Sequence, residues 1–159
     1  MSTTPLAPTG GLTLEATRRA LDAGIEMARS LGISVSLAVV DAGGILKAFA
    51  RMDGAEIAGE VLAVDKAFTA VSHRAPTAEL VPLAKLGGDL FGLQVAGRGR
   101  YVIFGGGLPL VVDGLVIGAV GVSGGSASED VSCAERMVTA LLGTPETPGG
   151  TSHPGSERL

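Results

Sequence analysis

The chain has 159 residues, of which 46% are hydrophobic, 3% aromatic and 18% charged, with a formal net charge of −4 at pH 7. No apolar run approaches the roughly 20 residues that span a bilayer, and scattered charge with few aromatic rings argues against nucleic-acid binding. A single cysteine, Cys133, excludes an internal disulfide. Residues 1–10 lack the basic and apolar segments of a secretory signal, so we expect a cytoplasmic protein.

The first predicted element is a helix over Leu14–Leu31, because its apolar residues recur at helical spacing along one stripe. Thr13 is a suitable N-cap and Gly32 a suitable stop. An apolar, β-branched strand follows over Ile33–Val40, and the chain returns as a second strand over Ile45–Ala50. The short glycine-containing turn between them predicts an antiparallel hairpin.

A second helix is predicted after Asp53, which lies three residues before Glu56 as in a variant of the capping box. Its apolar residues recur at alternating four- and three-residue spacing, and we expect this stripe to lie on the sheet. The stripe consists of Ile57, Val61, Val64, Phe68 and Val71. The opposite face carries small residues around Lys66, which predicts close packing against another subunit or a ligand.

The second half of the chain predicts a short helix, a glycine-rich loop, three strands and a final helix. The short helix is expected at Ala78–Lys85 and the loop at Leu86–Arg100. The three strands are expected at Tyr101–Phe104, Leu108–Val112 and Leu115–Val122. The final helix is expected from Ser126, which forms a capping box with Glu129, to about Leu142. The order favours an α+β domain over residues 12–142 with a five-stranded, mostly antiparallel sheet. We expect residues 1–11 to be flexible and the Thr-, Pro-, Gly- and Ser-rich residues 143–159 to be disordered.

Lys66 is the candidate catalytic residue. A lysine desolvated among small residues has a lowered pKa and can serve as a base, a nucleophile or an anion ligand. The structural alternative is that its stem covers apolar surface while its amine reaches water or a carboxylate of another subunit.

The candidate ligand-binding residues combine cations, hydroxyls and glycine amides. Arg51 could clamp a carboxylate, whereas Asp53 is a ligand residue or simply the helix cap. Glycine-rich turns bind anions through backbone amides or serve only as turns, and His73 is also explained by its place in the last helical turn. The set is Arg51, Asp53, Thr69, His73, Arg100, Tyr101, Gly105, Gly106, Gly107, Ser123 and Gly124. No metal site is predicted.

Five motifs in order give the chain a family resemblance. They are Val39–Gly44, Ala48–Ala55, Asp65–Ala70, Phe104–Pro109 and Gly118–Gly125. Together they resemble the GlcG/HbpS family, which also occurs as the C-terminal domain of PduO-type corrinoid adenosyltransferases. The resemblance extends from about residue 12 to residue 142.

The resemblance implies a profilin-like or PAS-like sheet with helices on both faces, a homo-oligomer, and haem or corrinoid as the ligand. Some haem binding in the family is credited to a histidine on the first helix. This sequence departs from that pattern, because Leu14–Leu31 contains no histidine and the chain has only His73 and His153. Met27 lies on that helix and is either an iron ligand or a core or interface methionine.

Three hypotheses follow, of which the third is purely structural, with a vestigial pocket and a surface used for assembly. In the first, an oligomer binds a tetrapyrrole or a small carboxylated metabolite as an accessory protein of a metabolic pathway. In the second, the chain is a cofactor-independent isomerase or lyase in which Lys66 acts as base or amine on a small carbonyl or carboxylate substrate, with Arg51 and loop amides holding the anion.

Overall fold

A computed structural model of the chain describes Pro5 and residues 10–143. Most of the predicted disordered tail, and most of the predicted flexible N-terminus, therefore lie outside the described residues. The helices are α1 (Leu14–Leu31), α2 (Ala58–His73), α3 (Val81–Ala84) and α4 (Ala127–Leu142); the strands are β1 (Ser36–Asp41), β2 (Leu46–Arg51), β3 (Gly107–Val112) and β4 (Leu115–Ser123). Short 3₁₀ turns occupy Thr77–Leu80, Leu93–Val95 and Gly97–Gly99.

The described strands form a four-stranded antiparallel sheet in the order β2-β1-β4-β3. The α+β prediction is confirmed, but the predicted fifth strand at Tyr101–Phe104 is wrong: in the described chain those residues join no ladder. Instead, the Val102 N–H donates to Thr69 Oγ1 at 2.9 Å, so α2 rather than a strand satisfies this backbone. The profilin-like or PAS-like comparison stays a prediction.

The two faces of β1 supply two apolar cores. Leu37 and Val39 pack with residues of α1 and α4, whereas Val40 packs with Ala67 and other residues of α2. Because successive side chains of a strand point to opposite faces, the helices cover both sides of the sheet. The predicted helices on both faces are therefore present among the described elements.

The face of α2 that meets the sheet is the opposite of the predicted one. Ala63, Lys66 and Ala70 are fully buried, whereas Ile57 is 85% and Val61 56% exposed. A methyl group at Gly121 of β4 would collide with the Ala63 carbonyl, so the helix backbone lies directly on the strand. Such close approach requires small residues on both elements. The N-terminal part of the predicted stripe, Ile57 and Val61, faces outward, whereas Val71 at its other end is buried in the core.

Two of the three predicted N-caps are confirmed and one is wrong. Thr13 accepts the Ala16 N–H and caps α1, and Ser126 forms the predicted capping box at α4. The capping role of Asp53 is wrong. The N-cap of α2 is Ile57, which makes no side-chain capping bond. Gly54, at a φ of +81°, turns the chain directly after Asp53, so the helix starts further along the sequence.

Candidate functional site

A buried ion pair joins α2, β4 and α4. Lys66 Nζ donates to Asp130 Oδ2 at 2.7 Å and to the Val122 carbonyl at 2.8 Å. Asp130 also accepts the Gly125 N–H through Oδ1 at 2.8 Å. The two charged side chains are only 1% and 4% exposed. We call Lys66, Asp130, Val122 and the adjoining Phe104 and Gly106 the buried junction.

Burial shifts the pKa values of the two partners of the junction toward each other. Burial lowers the pKa of the Lys66 ammonium, and the hydrogen bond and charge of Asp130 only partly counter this effect. Burial likewise raises the pKa of the Asp130 carboxyl, against the opposing contributions of Lys66 and of the backbone amides that precede α4. Moving one proton from Lys66 to Asp130 is therefore easier here than between the same groups in water.

The three glycines Gly105, Gly106 and Gly107 are buried within this packing. A methyl group on Gly106 would lie 2.9 Å from Lys66 Nζ and 3.0 Å from Asp130 Cβ, and Gly106 has a φ of +121°. A methyl group on Gly107 would collide with the Lys66 carbonyl. The Gly106 carbonyl accepts the Val122 N–H, and the Gly107 N–H donates to Thr77 Oγ1. Packing thus requires glycine at Gly106 and Gly107, as in the structural alternative for this segment.

A second group of predicted residues gathers along α2. The Arg100 guanidinium lies 3.7 Å from the centroid of the Phe68 ring, and its Nε donates to Asp65. The Tyr101 ring meets the His73 ring edge-on at 4.9 Å between centroids. Within the described residues, His73 Nε2 is buried without a hydrogen-bond partner. With Thr69 bound to Val102, these contacts fix the loop segment to the helix.

The third location is an open cleft between α1 and the segment that follows β2. Its volume is about 420 Å³ and its lining residues are Ile25, Arg29, Arg51, Met52 and Asp53. Both arginines are exposed, and within the described part of the chain neither has a carboxylate within ion-pair distance. We call this space the α1–β2 cleft. It pairs apolar side chains with a net positive charge, since two arginines and one aspartate line it.

Arg51 and Ser123 occupy one row across the sheet, because both pair with Ser36 of β1. Ser36 is fully buried, and its Oγ has no hydrogen-bond partner among the described residues. Gly124, with a φ of +147°, packs against the backbone of Val35. Ser123 is therefore buried at the end of β4 and Gly124 directly follows the strand, whereas Arg51 is exposed.

The predicted ligand set is thus divided among separate places. Arg51 and Asp53 line the α1–β2 cleft; Thr69, His73, Arg100 and Tyr101 gather along α2; the three glycines surround the junction. The sequence interpretation missed Asp130, Phe104 and Arg29. Asp130 follows Glu129 in the capped first turn of α4, where an acidic residue is already explained by the helix dipole.

A second cavity of about 400 Å³ lies at the opposite end of α2. It is lined by Ala42, Val71, Ser72, Arg74, Gly114, Leu115 and Val116. In the part of the chain that the structure describes, no group of three or more His, Cys, Asp or Glu side chains is arranged to hold a metal ion. None of the described helices is long and apolar enough to cross a membrane.

Comparison with known proteins identifies the family. A family model described as "Haem degrading protein HbpS-like" matches residues 12–139. The chain belongs to the HbpS-like family. The resemblance to the GlcG/HbpS family and to the PduO C-terminal domain is therefore confirmed.

Relatives of this HbpS-like chain include both single-domain and longer proteins. It is 40% identical over 127 residues to an uncharacterized 15.0 kDa protein of Citrobacter freundii, a match that covers 80% of this chain and 89% of that protein. It is 36% identical over 139 residues to the corrinoid adenosyltransferase PduO of Salmonella typhimurium, a match that covers 87% of this chain but only 40% of PduO.

A solved structure extends the comparison to a ligand complex. The structure of a PduOC–haem complex superposes with a TM-score of 0.79 at 35% identity, and the match covers 82% of this chain and 94% of that one. That relative binds haem.

Proposed function

We propose that this HbpS-like protein binds a small ligand that presents carboxylates on a flat apolar body, with haem as the leading candidate, as an accessory protein of a metabolic pathway. The main support is the α1–β2 cleft, which Arg29 and Arg51 line together with the apolar side chains of Ile25 and Met52. Guanidinium groups bind carboxylates through paired hydrogen bonds. The haem complex of the relative PduOC supports this ligand class.

The residues of the cleft fit the outer groups of haem. Haem joins two propionates to a broad apolar ring, so Arg29 and Arg51 would hold the propionates while Ile25 and Met52 contact the ring. Bound haem would supply an iron centre. Because α1 has no histidine, a thioether is the available iron ligand on this side of the fold, and Met52 lines the cleft. His73 and Tyr101 pack against each other elsewhere along α2.

The first test is a haemin titration of the full chain carrying His153→Ala, so that the C-terminal histidine contributes nothing. We expect a saturable shift of the Soret band. Arg29→Ala and Arg51→Ala should each weaken binding about ten-fold, the equivalent of one charge-assisted hydrogen bond of about 1.4 kcal/mol. Met52→Leu should change the spectrum more than the affinity.

Arg136→Ala is the matched control, since Arg136 is an exposed arginine of α4. Unchanged affinity in both cleft variants would remove this cleft from the binding site. A titration with a small dicarboxylate such as succinate distinguishes haem from a carboxylated metabolite as the ligand. Tight succinate binding together with an unsaturable haemin response would indicate a carboxylated metabolite.

We also infer that the protein is a homo-oligomer. The stripe on α2 exposes Ile57 and Val61, and the loop before β3 exposes Leu86, Phe91 and Val95. Ile57 and Val61 are one helical turn apart, and adjoining exposed apolar side chains mark interaction sites. Ile57→Asp should reduce the assembly size measured by sedimentation velocity, whereas Ile45→Asp, on the β1–β2 hairpin, should not. A wild-type protein that sediments as a monomer would contradict the inference.

A further inference from the structure

The Lys66 amine is hydrogen-bonded on two sides and covered by an aromatic ring on the third. An ammonium group has three N–H donors, and Asp130 and the Val122 carbonyl accept two of them. The remaining side is covered by the Phe104 ring, whose centroid lies 5.0 Å from Nζ. Phe104 is 42% exposed although it packs over this fully buried amine.

The cover is one side chain on a segment outside the strands, so its rotation would leave the sheet intact. Residues 101–106 belong to no strand, and β3 begins only at Gly107. Phe104 is followed by three glycines, and the segment before it is anchored to α2 by the Val102–Thr69 hydrogen bond. A rotation of the Phe104 side chain would therefore expose the amine while the anchors on both sides remain in place.

We propose that Lys66 is a gated amine that forms an imine with small uncharged aldehydes or ketones, with Phe104 as the gate and Asp130 as the proton carrier. The substrate must be small because the available space is the volume that the ring vacates. It must be uncharged because the Asp130 carboxylate, 2.7 Å from the amine, disfavours a second buried anion. This activity is independent of ligand binding in the α1–β2 cleft.

The chemistry needs only the groups of the junction. The Lys66 ammonium gives one proton to Asp130, and the neutral nitrogen attacks the carbonyl carbon to form a C–N bond. A proton passes from that nitrogen to the former carbonyl oxygen, which gives a carbinolamine. Asp130 then returns its proton to the hydroxyl group, which leaves as water as the iminium C=N bond forms. The lowered pKa of Lys66 and the raised pKa of Asp130 both assist the first transfer.

The test is reductive trapping of the full chain with acetaldehyde and sodium cyanoborohydride, followed by peptide mass spectrometry. We expect an ethyl adduct at Lys66 in the wild type. Phe104→Ala should raise the initial rate of that adduct about ten-fold, whereas Phe104→Leu, which keeps an apolar cover, should stay near the wild-type rate. The exposed Lys47 and Lys85 serve as internal standards whose labelling should be equal in all variants.

A control variant separates gate opening from unfolding. Leu141→Ala truncates a buried side chain at the far end of α4, and its Lys66 labelling should not increase. Glyoxylate in place of acetaldehyde should label Lys47 and Lys85 but not Lys66. The proposal is overturned if acetaldehyde labels the two surface lysines and leaves Lys66 unmodified, or if Phe104→Ala and Leu141→Ala accelerate labelling equally.

Discussion

The positive charge is buried and paired in the buried junction, whereas it is exposed and unpaired with described residues in the α1–β2 cleft. In the junction, Lys66 is almost fully enclosed and is bound to Asp130 and the Val122 carbonyl. In the cleft, Arg29 and Arg51 are exposed and are not ion-paired with any described residue. The first cation is held by the fold, whereas the other two are available to a ligand.

The difference follows from the cost of removing charge from water. An enclosed ammonium without a partner is strongly unfavourable, so the position of Lys66 demands Asp130. Exposed guanidinium groups remain hydrated and need no internal partner. Substitutions in the junction should therefore change stability first, and substitutions in the cleft should change binding without changing stability.

The largest expected effect comes from breaking the ion pair on one side. Lys66→Met leaves the Asp130 carboxylate buried without its cation, which should lower the free energy of unfolding by about 3–5 kcal/mol in urea denaturation. The double variant Lys66→Met with Asp130→Leu removes both charges and should recover most of that loss. A double variant as unstable as the single one would mean that the pair contributes more than its desolvation costs.

The pH dependence of the same variant sharpens the argument. Lys66 holds down a pKa of Asp130 that burial raises, so removing Lys66 should raise the pKa further. A carboxyl whose pKa is higher in the folded than in the unfolded state stabilises the fold below the unfolded pKa, and this contribution is lost as the pH rises through the folded pKa. The free energy of unfolding that Lys66→Met loses relative to wild type should therefore grow from acid to neutral pH.

Adding Asp130→Asn to Lys66→Met provides the control for this measurement. The amide does not titrate, so the deficit of that double variant should vary much less with pH. If both variants show the same pH dependence, another group carries the titration.

The smallest expected effect concerns Asp53. It lines the α1–β2 cleft and does not cap α2, so Asp53→Ala, which removes any capping oxygen, should leave the free energy of unfolding within about 0.5 kcal/mol of wild type. Removing this negative charge beside Arg29 and Arg51 should raise the affinity for a carboxylate ligand about two-fold, as expected for a screened surface charge. Isothermal titration with haemin or succinate measures the affinity; a loss of stability above about 1 kcal/mol would restore the capping role.

Local signals predicted the elements that local chemistry controls. The bounds of α1 agree with the prediction at both ends, because Thr13 and Gly32 mark them. Asp113 and Gly114, between β3 and β4, both take positive φ, at +50° and +76°, as an Asp-Gly dipeptide favours in a two-residue hairpin turn. The capping box at Ser126 likewise fixed the start of α4. Each signal lies within a few residues of the feature that it specifies.

The candidate site was less accessible from the sequence. Lys66 was singled out correctly as a buried lysine, but its partner Asp130 lies 64 residues away and no local pattern connects them. Arg29 was missed because a basic residue in the last turn of α1 is already explained by the helix dipole. The glycines before β3 were noticed as a ligand loop, whereas their contacts show that they make room for α2 and the ion pair.

The sequence by itself therefore determined the family, the α+β class, the helix caps and the antiparallel hairpins, since these depend on residue order and short-range hydrogen bonds. Only the tertiary structure decided which face of α2 meets the sheet. The spacing of Ile57 and Val61 is the same whether these side chains are buried or exposed. The buried face is determined by Gly121, because its missing side chain lets the helix backbone approach β4. That approach carries Lys66 into the interior, where desolvation requires Asp130 to meet it.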